Sequence, residues 1–88
     1  MGLSATQRFL VEADRAAGTG DLFRWADVGT TLGYTAAQAD GAARALGERK
    51  MVILLHGGEA RLLAAGRRSA AELAARHGGR APIPGARN

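Results

Sequence analysis

Apolar positions change their spacing along the chain, and each change predicts a new element. From Leu3 to Gly18, Phe9, Leu10, Ala13, Ala16 and Ala17 recur at helical spacing, while Arg8, Glu12 and Arg15 fall on the other side. Ser4 followed by Gln7 has the spacing of a capping box at the start of that helix, and Gly18 supplies a left-handed stop. Thr19-Gly20-Asp21 reads as a turn. Leu22, Trp25, Val28 and Leu32 again follow a helical stripe, with two starts open: a helix capped by Asp21, or a short strand Leu22-Phe23-Arg24 and a helix from near Trp25. Trp25, the largest apolar group, is expected to anchor the core.

Gly33-Tyr34-Thr35 forms the next turn, and Thr35 with Gln38 makes a second capping box for a helix over 36–48. Ala39, Ala42, Ala43 and Leu46 share one stripe of it, small enough to let another helix cross closely. The period then switches. Met51 to Leu55 is an apolar, β-branched run, His56-Gly57-Gly58-Glu59 is a tight turn, and Ala60 to Leu63 returns antiparallel with Arg61 outward. A last helix runs from about Ala64 to Arg76 or His77, with Ala70, Leu73, Ala74 and His77 inward, until Gly78-Gly79 stops it. Residues 79–88, with two prolines and two arginines, are expected to form a flexible basic tail after a domain over residues 1–78. The fold class is therefore mainly α with a small β-hairpin (α+β).

Composition narrows this picture. Alanine supplies 20 residues of the 88, so the core is thin, and a chain of this size draws about 5 kcal/mol or less from its core. A partner that adds stability is expected, with a second copy of the chain first in view. Cysteine is absent, which excludes disulfides and thiolate metal sites. No apolar run is long enough to cross a bilayer and no signal-peptide pattern opens the chain, so a cytoplasmic location without membrane contact is the expectation. The net charge of +4 is unevenly placed: residues 1–60 carry −1, and residues 61–88 carry +5. Basic character belongs to the second hairpin strand, the last helix and the tail.

These motifs resemble the winged helix-turn-helix domains of bacterial and archaeal transcription regulators, in the order helix-helix-helix-hairpin-helix. The resemblance rests on Asp27-Val28-Gly29-Thr30-Thr31-Leu32-Gly33-Tyr34-Thr35 as second helix and turn, and on Ala39 and Leu46 as the core of the recognition helix. Arg49-Lys50-Met51-Val52 stands at the entry to the wing, and Leu62-Leu63-Ala64-Ala65-Gly66 where the family often carries Leu-Thr-x-x-Gly. Lys50 replaces the family's usual glycine, and Leu63 replaces the threonine that would cap the last helix.

The resemblance implies double-stranded DNA as partner, with helix 36–48 in the major groove and the 51–63 hairpin on the flanking backbone. At about 100° per residue, the outward face of that helix carries Ala37, Gly41, Arg44 and Glu48, flanked by Gln38 and Asp40. Arg44 suits guanine and Gln38 suits adenine, while Ala37 and Gly41 allow close approach. The candidate interface is Thr35, Ala37, Gln38, Gly41 and Arg44 on the helix, His56 at the wing tip, and Arg49, Lys50, Arg61, Arg67 and Arg68 toward phosphates. Asp40, Arg44 and Glu48 at i, i+4, i+8 oppose this by engaging the arginine in intrahelical pairs. Hence the alternative: a protein–protein interaction module on the same scaffold, without nucleic acid.

Chemistry beyond binding has no visible basis. His56 and His77 lie on different elements, and no carboxylate–histidine group has metal-ligand spacing. Gly18-Thr19-Gly20 lacks the third glycine of a dinucleotide loop, and neither serine sits in a nucleophile elbow. The expectation is a non-enzyme without cofactor, a small transcription regulator acting as a homodimer on paired half-sites.

Overall fold

The computed structural model describes residues 2–78. Its order is α1 (Ala5–Ala17), β1 (Leu22–Arg24), α2 (Trp25–Leu32), α3 (Ala36–Glu48), β2 (Val52–Leu54), β3 (Glu59–Leu62) and α4 (Ala64–Leu73), continued by a π-helical turn over Ala74–Gly78. The expected tail over 79–88, the Gly79 stop and the inward side chain of His77 lie outside the described residues.

Local sequence chemistry sets most element ends. Gln7 N–H donates to Ser4 Oγ (3.1 Å) and Ser4 N–H to Gln7 Oε1 (2.9 Å), a complete capping box. Thr35 and Gln38 repeat it at 3.1 and 2.8 Å. Gly33 ends α2 in the left-handed region at φ 78°, ψ 20°. Gly18 also has positive φ (59°), but its ψ of −131° belongs to the first central position of a type II′ turn, closed by the Gly20 N–H on the Ala17 carbonyl, so the expected left-handed stop is instead a sharp turn. Leu63 caps α4 without any side-chain hydrogen bond, as its replacement of threonine implies.

The open choice at residues 22–24 resolves as a strand, with α2 starting at Trp25. Leu22, Phe23 and Arg24 pair antiparallel with Arg61, Ala60 and Glu59, so β3 is central in a three-stranded sheet of order β1-β3-β2. Val52, Ile53 and Leu54 pair with Leu62, Arg61 and Ala60 on the other side. The hairpin is thus part of a sheet that ties residues 22–24 to the second half of the chain.

The sheet's inner face and the four helices enclose one core. Among the described residues thirteen apolar side chains are buried, and six of them are alanine. Phe9, Leu46, Val28 and Val52 are its largest fully buried groups, and Phe9 meets Phe23 edge to face with centroids 6.3 Å apart. Trp25 packs against this cluster but stays half-exposed, so the anchoring role expected of it passes to Phe9. A Cβ added at Gly29 would lie 2.5 Å from the Ala39 Cβ, which shows how closely α2 and α3 approach. Ala39 and Ala43, both buried, complete that crossing as the small-residue stripe predicts.

Candidate nucleic-acid interface

With its inner stripe packed against α1 and α2, α3 presents Ala37, Gln38, Gly41, Arg44 and Glu48 as exposed positions. The face projected from the sequence is therefore the exposed one. Its chemistry is partly engaged. Gln38 Oε1 accepts the Thr35 N–H, leaving the amide NH₂ as the group available for adenine, and Thr35 Oγ1 is held by the same cap. A bidentate reading of adenine by Gln38 would have to share or break that bond. Arg44 Nε lies 2.9 Å from Asp40 Oδ2, with side chains 70% and 42% exposed. Such an exposed i,i+4 pair is worth about 0.3–0.5 kcal/mol, whereas a bidentate guanine contact discriminates by about 1–3 kcal/mol. The pair can be given up.

The α3 C-terminus is a Schellman motif. Met51 N–H donates to the Leu46 carbonyl (3.0 Å) and Lys50 N–H to the Gly47 carbonyl (3.1 Å). The residue after the cap in this motif takes positive φ, and here it is Lys50 at φ 64° instead of glycine. The motif turns Arg49 and Lys50 apart. Lys50 joins Arg44, Glu48, Ile53 and Leu54 around an open groove of about 630 Å³ between α3 and β2. Arg49 lines a separate groove between α1, α3 and α4. Two neighbouring cations expected to act together are thereby divided.

On the outer face of the sheet Arg61 is exposed between Leu22 and Ile53, its direct partners on the flanking strands. Ile53 is 47% exposed, Leu22 46% and Leu54 37%. Leu22 and Ile53 form an apolar patch around Arg61 on the outer face, whereas Leu54, paired with the buried Ala60, lies on the inner side against Gly47 of α3 and lines the Arg44–Lys50 groove. His56 is exposed at the start of the hairpin turn, in which Gly57 and Gly58 both take positive φ, with the Leu55 N–H on the Glu59 carbonyl closing the hairpin (2.7 Å). Arg68 is exposed on α4.

Arg67 is the clear departure. Its Nη1 donates to Asp14 Oδ1 at 2.8 Å, and its Nη2 reaches Asp21 Oδ1 at 3.2 Å and the Gly20 carbonyl. The guanidinium clamps α4 to α1 and to the turn before β1. It serves the fold and is not presented to a phosphate. The reason is tertiary: its partners lie 46 to 53 positions away in the chain. Elsewhere Arg24 lies 4.0 Å from both Asp27 and Glu59, and Arg15 pairs with Glu12, whose hydrogen bond and charge raise the arginine's pKa above its usual value. Among the described residues no group of three His, Cys, Asp or Glu side chains is placed to hold a metal, and no helix is long and apolar enough to cross a membrane.

Comparison of the chain with protein-family models, with curated proteins and with solved structures returns no match.

Proposed function

We propose that the chain is a winged helix-turn-helix domain that binds double-stranded DNA, with α3 in the major groove and the β2–β3 hairpin as the wing. One observation carries the reading. The tight α2–α3 crossing at Gly29 and Ala39, closed by a three-residue turn, leaves the whole outer face of α3 exposed beside a groove that holds Arg44 and Lys50. In this arrangement Arg44 exchanges Asp40 for a guanine edge, while Ala37 and Gly41 admit the helix close to the bases. Lys50, Arg61 and Arg68 neutralise phosphates and set the register without reading sequence.

Fluorescence anisotropy of a labelled random duplex at two salt concentrations tests this. Neutralising about three phosphates makes log K fall by about 2.7 per decade of salt. Arg44→Ala should relax discrimination at one base pair by about 1–3 kcal/mol in a selection experiment. Absence of duplex binding at low salt would sink the reading. A two-chain arrangement on paired half-sites belongs to the same proposal. Because α1 and α4 pack on each other within the chain, we assign the contact between two chains to the outer face of the sheet, where Leu22 and Ile53 are exposed.

A second reading, favoured by that apolar patch, is a protein-interaction module on the same scaffold. It expects Ile53→Asp to abolish a complex that survives nuclease treatment, and it expects Lys50→Ala and Arg61→Ala to leave that complex intact. The DNA reading expects the two lysine and arginine variants to lose duplex affinity.

A further inference from the structure

Arg49 points to a site of its own. The groove it lines, of about 360 Å³, lies between the first turns of α1 and the last turns of α3 and α4. That volume falls within the range of small-molecule sites, roughly 300–1,000 Å³. Its lining includes Leu10 and Leu46, both buried in the core, and the half-buried Leu73. Its charged groups are Arg49, Arg76 and Glu72, and among the described residues none of the three forms an ion pair. Two exposed arginines from different elements thus line one groove with apolar side chains and one exposed carboxylate, a net charge of +1.

We propose that this groove binds a small organic monoanion, a carboxylate on a compact apolar body. The body covers the half-buried Met51 and Leu73, and the carboxylate accepts charge-assisted hydrogen bonds from Arg49 and Arg76, whose planar forks suit it. Glu72 leaves a single positive charge uncompensated, which selects a monoanion over a dianion. Arg49 also caps α3 next to Lys50.

The test is an NMR titration of the full chain with benzoate, with benzyl alcohol, inorganic phosphate and phenylalanine as comparison probes. Benzoate should give saturable shifts centred on Met51 and Leu73. Arg76→Gln should weaken it by about tenfold, the worth of one charge-assisted hydrogen bond, and Glu72→Gln should tighten it. Arg49→Gln provides a second variant, and the same spectra report whether each variant is folded. Four results would overturn the site: no saturable shifts, equal shifts with phosphate, equally tight benzyl alcohol, or phenylalanine bound more tightly than benzoate and lost in Glu72→Gln.

Discussion

Lys50 occupies a left-handed backbone position at the end of α3, where glycine carries no Cβ penalty. For an L-residue with a side chain that conformation costs about 1–2 kcal/mol. Lys50→Gly should therefore raise the unfolding free energy, read from urea denaturation, although the entropy of the freer unfolded glycine returns about 0.4–1 kcal/mol. On the DNA reading the same variant loses duplex affinity, because a groove cation has gone. Stability and binding then move in opposite directions, a pairing that a purely structural lysine would not produce. Arg67 should behave in the reverse way. Arg67→Met removes a half-buried clamp on Asp14, Asp21 and Gly20 and should lower stability by about 1–2 kcal/mol, yet leave the salt dependence of duplex binding unchanged. A shallower salt slope in that variant would restore Arg67 to the phosphate contacts.

Element packing can be probed by one substitution made twice. Gly→Ala in a helix interior gains about 1 kcal/mol from propensity when nothing obstructs the methyl group. Gly41 on the exposed face of α3 has no atom within 4 Å of such a Cβ, so Gly41→Ala should raise the melting temperature. Gly29 faces Ala39 at 2.5 Å, so Gly29→Ala must push α2 from α3 and should cost about 1–3 kcal/mol despite the same propensity gain. Equal effects at the two sites would show that the crossing is not tight. Gly66 is confined more severely, since a Cβ there would meet the Met51 carbonyl at 2.4 Å. The caps at Ser4 and Thr35 were legible in the sequence because both partners lie three residues apart, and so was the uncapped start at Leu63. Three features were not: the pairing of β1 with β3, the Tyr34 hydroxyl on the Ala5 carbonyl (2.9 Å), and the partners of Arg67. Each joins residues far apart in the chain, and no local period encodes such a contact. The outward face of α3 was legible for the opposite reason, because a regular helix fixes which positions oppose its buried stripe.

For the molecule as a whole, the alanine-rich core and the exposed sheet patch belong to one problem. A core in which, among the described residues, alanine fills six of thirteen buried apolar positions has little apolar area to set against chain entropy. The same chain leaves Leu22 and Ile53 nearly half exposed on either side of Arg61 on the outer face of the sheet. If two chains pair through this face, as proposed for paired half-sites, association and folding are linked by mass action. The thermal midpoint should then rise with protein concentration, and sedimentation velocity should show a dimer at the upper end of the series. Ile53→Asp places a carboxylate on the patch without touching the buried side of the sheet. It should make the midpoint independent of concentration while leaving the monomer's helical circular dichroism in place. It should also lower affinity for a duplex carrying two half-sites far more than for one carrying a single half-site. A concentration-independent midpoint in the unmodified chain would assign the patch to a partner other than a second copy, and the same Ile53→Asp variant would then serve to identify that contact.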